Sequence, residues 1–232
     1  MKFTFAADAA VDPRALRHEV TLPGGEPRLE EQWAVGLNAR PWTYPAGAMV
    51  GLEAPGELIV RITSGWAFEM RALTPERHQL FSLLLPGDHT LVPAYARPDD
   101  IALIGLTPLE ILVAPSADGP MAWRAGFLTD VLAQQVARLR EHVLRLGLLD
   151  GQARIAHLLL ELYSRLSALG LVRRDSFRTP LTQDVLASML GLSVVHVSRS
   201  LQRLRQQKLL TMDFGRVSLL DIPTLEKMTS LA

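Results

Sequence analysis

The sequence predicts an α+β protein: an N-terminal β-roll of the jelly-roll type, one long helix, and a C-terminal pair of short helices followed by a β-hairpin. Three observations point there. Short apolar runs, cut at regular intervals by Pro, Gly and Asp, fill residues 29–114. A proline-free stretch of good helix formers follows over 123–147. Beyond it, two capped apolar segments meet at a glycine turn around Gly191. The expected boundaries are 1–118 for the roll, 119–149 for the long helix and 150–232 for the last domain.

Composition bounds the function. With 232 residues, 48% of them hydrophobic, the chain can bury real cores and is too apolar for disorder. The absence of cysteine excludes disulfides, thiolate-bound zinc, iron–sulfur clusters and thiol redox switches. No stretch approaches the ~18 apolar residues of a membrane span, and the N-terminal apolar run breaks at Asp8, so a cytoplasmic protein without a membrane partner is expected. The zero net charge hides an asymmetry. Residues 1–137 carry 10 Lys+Arg against 16 Asp+Glu, and residues 138–232 carry 14 against 8. An acidic front and a basic back suggest two modules, the second meeting a polyanion.

In the roll, breakers such as Pro55-Gly56, Ser64-Gly65, Pro86-Gly87-Asp88 and Thr107-Pro108 separate runs at 58–62, 79–85 and 101–106. Strands at spacings of roughly 8–12 residues are the pattern of a sandwich or roll. The long helix carries Leu128, Leu132, Gln135, Leu139, His142 and Leu146 at spacings of 4, 3, 4, 3 and 4. That heptad seam suits pairing with its own copy in a dimer, Gln135 and His142 then setting register. It equally suits a helix packed inside its own protomer. A second helix is expected over 152–169, with Ile155, Ala156, Leu159, Leu162 and Leu166 on one face and Gly170 as its stop, followed by a loop over 172–180.

Residues 181–210 carry the function. Thr182 is placed to cap a short helix, Gly191 to take positive φ at its end, and Ser193 to cap the next. Along that second helix Val197, Leu201 and Leu204 face inward, while Arg199, Gln202, Arg203 and Gln206 face outward. Two helices joined by such a turn, the second basic on its free face, form a helix-turn-helix. The apolar pieces around Asp213 and Arg216 make a hairpin, or wing. The bland alternative is an αα-hairpin with solvated arginines.

Leu181-Thr182-Gln183, Leu186-Ala187, Leu190-Gly191-Leu192-Ser193, Val197-Ser198-Arg199, Leu201, Leu204 and Leu209 resemble, without a gap, the helix-turn-helix of the Crp/Fnr family of bacterial transcription regulators. Weaker similarity covers Ser64-Gly65-Trp66 and Leu85-Pro86-Gly87-Asp88. The resemblance spans roughly residues 30–222. It implies a cyclic-nucleotide-binding-like roll, a dimerisation helix and a winged helix-turn-helix. It also implies a homodimer placing two recognition helices on double-stranded DNA about 34 Å apart. Arg199 matches the family's guanine-reading arginine, able to grip O6 and N7 together, and Ser198 stands where some members touch bases. Many relatives carry charge where this chain has Val194 and Val195. The valines suit thymine methyls instead, with His196 as a further base-reading candidate. Thr182, Arg203 and Arg216 are candidates for phosphate.

In cyclic-nucleotide-binding relatives an Arg-Ser/Thr pair clamps the phosphate. Counting back from residues 107–112, those places hold Asp99 and Asp100, with Arg97 two residues away and no Gly-Glu pair before them. Two carboxylates facing a phosphate at ~4 Å oppose it by about 1 to 4 kcal/mol per charge pair, so cyclic AMP and cyclic GMP are disfavoured. His78 and His89, with His18 remote, are scattered metal-ligand candidates, and no His-x-His supports a cupin-type centre. Neither a cofactor, a metal nor a catalytic residue is expected, and no enzyme activity. The expected function is a homodimeric, sequence-specific transcription regulator with a sensor domain of unread effector and RNA polymerase as a further partner. The alternative is a ligand-sensing or protein-interaction dimer whose helix-turn-helix no longer reads DNA.

Overall fold

The computed structural model describes residues 39–51, 57–74, 77–93, 101–117 and 121–230. They fall into two compact units, 2–138 and 139–232, which divide inside the long helix α1 (Met121–Leu148).

The first unit is the expected roll. Strands β1 (Arg40–Tyr44), β7 (Leu109–Pro115), β2 (Glu57–Ser64) and β5 (His89–Pro93) lie side by side in that order. A second sheet orders β4 (Arg77–Leu84), β3 (Ala67–Thr74) and β6 (Ala102–Gly105), and every pairing is antiparallel. Leu58, Val60 and Ile62 of β2 alternate onto the core, where they join Leu84, Leu103, Leu109 and Ile111. Ile59 points to the opposite face and packs with Ala114, Phe127 and Leu128. The early part of α1 thus covers the outside of the sheet, which is why β2 reads as a nearly continuous apolar run rather than a strict alternation. The β2–β3 turn requires glycine: Gly65 sits at φ +86°, and a Cβ there would run into the Pro108 carbonyl.

The second unit is helical with a small sheet. Helix α2 (Gly151–Ala168) starts at Asp150, whose carboxylate accepts from the Gln152 and Ala153 amides at 2.9 Å. Its stop is as expected: Gly170 at φ +70° lets the Leu171 amide return to the Leu166 carbonyl. Helices α3 (Gln183–Leu190) and α4 (Val194–Gln206) follow, then β9 (Leu210–Asp213), β10 (Arg216–Leu219) and α5 (Ile222–Thr229). Ile155, Leu159, Leu162 and Leu166 of α2 are buried, as are Leu186, Val197, Leu204, Val217 and Leu225.

Two elements were not expected. The 172–180 loop contains β8 (Ser176–Arg178), which pairs with β10 and makes the wing sheet three-stranded in the order β8-β10-β9. A three-residue strand gives little periodicity to read. Helix α5 is capped by Asp221 and opens on Pro223, and it packs on α2.

Candidate nucleic-acid interface

The helix-turn-helix rests on local chemistry. Thr182 Oγ1 accepts from the Val185 amide at 3.3 Å, Gly191 ends α3 at φ +60°, and Ser193 Oγ accepts from the His196 amide at 3.2 Å. These are the three positions expected from the sequence, and each satisfies or relieves a helix end that would otherwise carry unpaired backbone groups. On α4 the buried set is Val197, Ser200, Leu201 and Leu204. Val194, Val195, Ser198, Arg199, Gln202 and Arg203 are exposed. Residues 195, 198, 199 and 202 stand at i, i+3, i+4 and i+7 and therefore line one face. Among the described residues the Arg199 and Arg203 side chains make no hydrogen bond or ion pair, so their guanidinium groups are available to a ligand.

His196 behaves differently from its neighbours. Its ring lies over Gly151, where a Cβ would stand 2.5 Å from Nε2. The imidazole therefore leans on the first turn of α2, although His196 is exposed like Val194 and Val195 beside it.

Two arginines that sequence reasoning passed over hold this surface together. Arg154 of α2 donates through Nε to the Leu149 carbonyl at 2.8 Å, through Nη2 to the Leu146 carbonyl at 2.8 Å and through Nη1 to the Leu190 carbonyl at 2.9 Å. One guanidinium thus closes the last turn of α1 and the last turn of α3. Arg205 of α4 donates through Nη2 to Asp213 Oδ1 at 2.9 Å and to the Met212 carbonyl at 3.2 Å, tying the recognition helix to the wing. Partners 36 and 8 residues away, chosen by backbone carbonyls, leave no spacing signal in the sequence. In the wing, Arg216 is exposed and stands opposite Asp213 on one side and Arg178 on the other.

The residues of the expected dimer seam divide between two faces of α1. Gln135 and His142 do not lie on the free face of α1. The Gln135 amide reaches Thr90 Oγ1 at 2.5 Å and Glu69 Oε1 at 3.5 Å in the roll. His142 is 4% exposed, in the second unit. Leu128 packs on the roll, and Leu146 is half-buried. Leu132 (48%) and Leu139 (38%) of the expected seam are exposed, in one apolar stripe with Val136 (41%) and Val143 (68%). The inward face repeats with the same period through Val131, Gln135, Arg138, His142 and Arg145. The repeat drawn from the sequence took Leu132 and Leu139 from the exposed face and Gln135 and His142 from the inward one, because a 3.5-residue spacing alone does not fix the phase.

Around His142 the second unit holds a charged cluster. Arg145 is 2% exposed. It pairs with Glu161, and its Nε donates to His157 Nδ1 at 3.2 Å, while Glu161 Oε1 also meets Arg165 Nη1 at 3.1 Å. Burial, then the Arg145 charge, lowers the His142 pKa to about 4, against a smaller opposing pull from Glu161. In the roll, His89 is likewise lowered to about 4 by burial and by Arg61 and Arg138. Its ring meets Phe127 edge-on at 5.2 Å.

Arg97, Asp99, Asp100 and His18, on which the sequence argument about effector and metal drew, lie outside the described residues, and so does the side chain of His78. Among the described residues no three His, Cys, Asp or Glu side chains group as a metal site, and no helix is long and apolar enough to cross a membrane.

Comparison with known proteins places this geometry. Residues 153–228 match the Crp-like helix-turn-helix domain. The anaerobic regulatory protein of Pasteurella multocida is 24% identical over 159 residues, which cover 65% of this chain and 57% of that relative. The chain thus spans a little over half the length of the curated relative it matches. Among solved structures, FixK2 of Bradyrhizobium japonicum superposes with a TM-score of 0.69 at 21% identity, covering 84% of this chain and 98% of that one. A CRP-family transcriptional regulator of Thermus thermophilus gives 0.64 at 21% identity, covering 82% and 97%. Likeness at these identities speaks for the fold: the α+β architecture of roll, long helix and helix-turn-helix is that of these regulators.

Proposed function

We propose that the chain, whose residues 153–228 match the Crp-like helix-turn-helix domain, is a member of the Crp/Fnr family and a sequence-specific DNA-binding regulator of transcription acting as a homodimer on a near-palindromic site. One observation carries the reading: α4 buries Val197, Leu201 and Leu204 and turns Val195, Ser198, Arg199 and Gln202 outward, the arginine without a partner among the described residues. A helix free along one polar and basic face, after a capped glycine turn, is shaped to enter a major groove. Arg199 grips a guanine, and Ser198 hydrogen-bonds a neighbouring base. Val194 and Val195 lie against thymine methyls. Thr182, Arg203 and Arg216 hold phosphates, which position the protein without reading sequence. His196, leaning on Gly151, touches a base only at the edge of this surface.

Dimerisation follows from α1. Leu132, Val136, Leu139 and Val143 form a solvent-facing apolar stripe at heptad spacing, and pairing two copies buries it and sets two α4 helices one DNA turn apart. The roll acts as the sensor half of the same chain. A cyclic nucleotide is disfavoured as its effector, since the sequence has Asp99 and Asp100 where such relatives carry the phosphate-clamping pair. The protein works in the cytoplasm, with DNA and RNA polymerase as partners and without catalysis of its own.

The test is selection of bound sequences from random duplex by the full-length protein. Enrichment of an inverted repeat with half-sites one turn apart is expected. Failure to enrich any repeat, with binding that does not weaken as salt rises, points instead to a dimer whose helix-turn-helix meets protein rather than DNA.

A further inference from the structure

We infer that Glu69 and Ser82 form a buried acidic site in the roll that binds an organic cation bearing N–H groups, a protonated amine or a guanidine, as the effector of this chain. The inference rests on the reading of the roll as the sensor half and adds the chemical class of what is sensed.

Glu69 is the anomaly. It lies in β3, only 9% exposed, and its cross-strand neighbour Leu103 belongs to the apolar core. A carboxylate withdrawn from water needs a cation or a full set of donors. Among the described residues no cation meets it. Its two hydrogen bonds come from neutral groups, the Thr90 hydroxyl and the Gln135 amide, and both end on Oε1. Oε2 accepts nothing there. Ser82 of β4 stands directly across from Glu69, so the two side chains leave the sheet on the same face. Ser82 is 4% exposed, and its Oγ has no partner among the described residues. The strand pair is bulged at this point, since Met70 pairs with Leu80 and Phe81 has no opposite number. A bulge re-aims the side chains beside it.

A carboxylate oxygen and a hydroxyl, both unanswered and on one face, are what an ammonium or guanidinium group satisfies. Its N–H groups donate to Glu69 Oε2 and Ser82 Oγ, and its charge neutralises the carboxylate. Calcium fits poorly, because it takes roughly six to eight oxygens and Thr90 and Gln135 meet the carboxylate as donors. An anion is opposed by Glu69 itself. The charge of the region agrees: residues 1–137 carry 16 Asp+Glu against 10 Lys+Arg, which draws cations toward the roll. The site also has a way to report. Gln135 reaches Oε1 and Thr90 from α1, the helix whose Leu132 and Val136 stand in the exposed apolar stripe. A cation on Oε2 therefore bears, through one carboxylate, on the docking of that helix.

Melting of the full-length protein in methylammonium, methylguanidinium and benzylammonium chlorides tests the site, with acetamide as the neutral control and ionic strength held constant. The wild-type melting temperature is expected to rise and saturate with at least one cation and to ignore acetamide. Glu69→Gln keeps an acceptor for Thr90 and Gln135 without the charge. It should melt at or above the wild type and lose the response. Ser82→Ala should melt with the wild type and bind the same cation about three- to tenfold more weakly. Affinity for the duplex selected by the wild type should change at least about fivefold when the site is filled. No saturable response in the wild type, or an equal response in Glu69→Gln, would overturn the inference. Cation binding that leaves DNA affinity unchanged would overturn the effector role. The melting arm contains no DNA, so its failure leaves the DNA-binding reading standing, and a wild type that selects no duplex tells against that reading and not against the cation site.

Discussion

Arg154 Nη1 donates to the Leu190 carbonyl at 2.9 Å, from the first turns of α2 to the last residue of α3. The same guanidinium takes the Leu146 and Leu149 carbonyls, so the end of the long helix and the end of the first helix of the helix-turn-helix share one cation. Helix C-termini concentrate unpaired acceptors and partial negative charge, and a guanidinium answers both. Arg154→Ala is expected to destabilise the second unit by about 2–4 kcal/mol, seen as an earlier urea midpoint. Arg154→Lys, a single ammonium in place of a planar fork, recovers only part. Wild-type stability in Arg154→Ala would show that water replaces all three contacts.

Arg199 stands on the outward face of α4 with its guanidinium uncommitted among the described residues. Arg199→Ala should cost about 1–3 kcal/mol of discrimination at one guanine in each half-site, measured as the ratio of affinities for the selected site and its single-base variants. A uniform loss over all sequences would move Arg199 to the phosphate-contacting group.

Val143 is 68% exposed in the stripe that also holds Leu132 and Leu139 of the expected seam. Val143→Glu places like charges face to face in the paired helices and should weaken the dimer at least about tenfold in sedimentation velocity. Gln135→Ala, by contrast, should leave the dimer intact and destabilise the roll, because its amide serves Thr90 and Glu69. The opposite pattern would restore the seam as first drawn from the sequence.

The buried His142 makes stability pH-dependent. Its folded pKa lies at about 4, against about 6.5 in an unfolded chain. Between those values the unfolded chain binds the extra proton, so stability is whole above about pH 6.5 and declines as pH falls toward about 4. A loss of about 1–2 kcal/mol is expected between about pH 7.5 and pH 5 for the second unit, and His142→Gln should lessen it. An equal decline in that variant would place the dependence on other groups, His157 first.

Much of this was legible in the residues. The helix-turn-helix could be read because its determinants are local: Thr182 and Ser193 bond amides three residues on, and Gly191 supplies the one left-handed residue the turn needs. The roll could be read because its breakers and apolar runs lie in the same order as its strands. Neither depends on where distant parts of the chain go.

The tertiary structure decided what locality could not. A helix with a 3.5-residue repeat offers two faces, and which one turned inward depended on distant groups. Thr90 and Glu69 drew in Gln135; Glu161 and His157, from the next helix, fixed Arg145, which lies one turn beyond His142 on the inward face. The same holds for Arg154 and Arg205, whose partners are mostly main-chain carbonyls, a type every residue carries and no motif marks. The residues by themselves settled most of the helices, turns and strands, β8 and α5 excepted, since caps and periodicity act over a few positions. Folding settled which faces stay free, since burying a polar group requires a partner that only the assembled chain can bring.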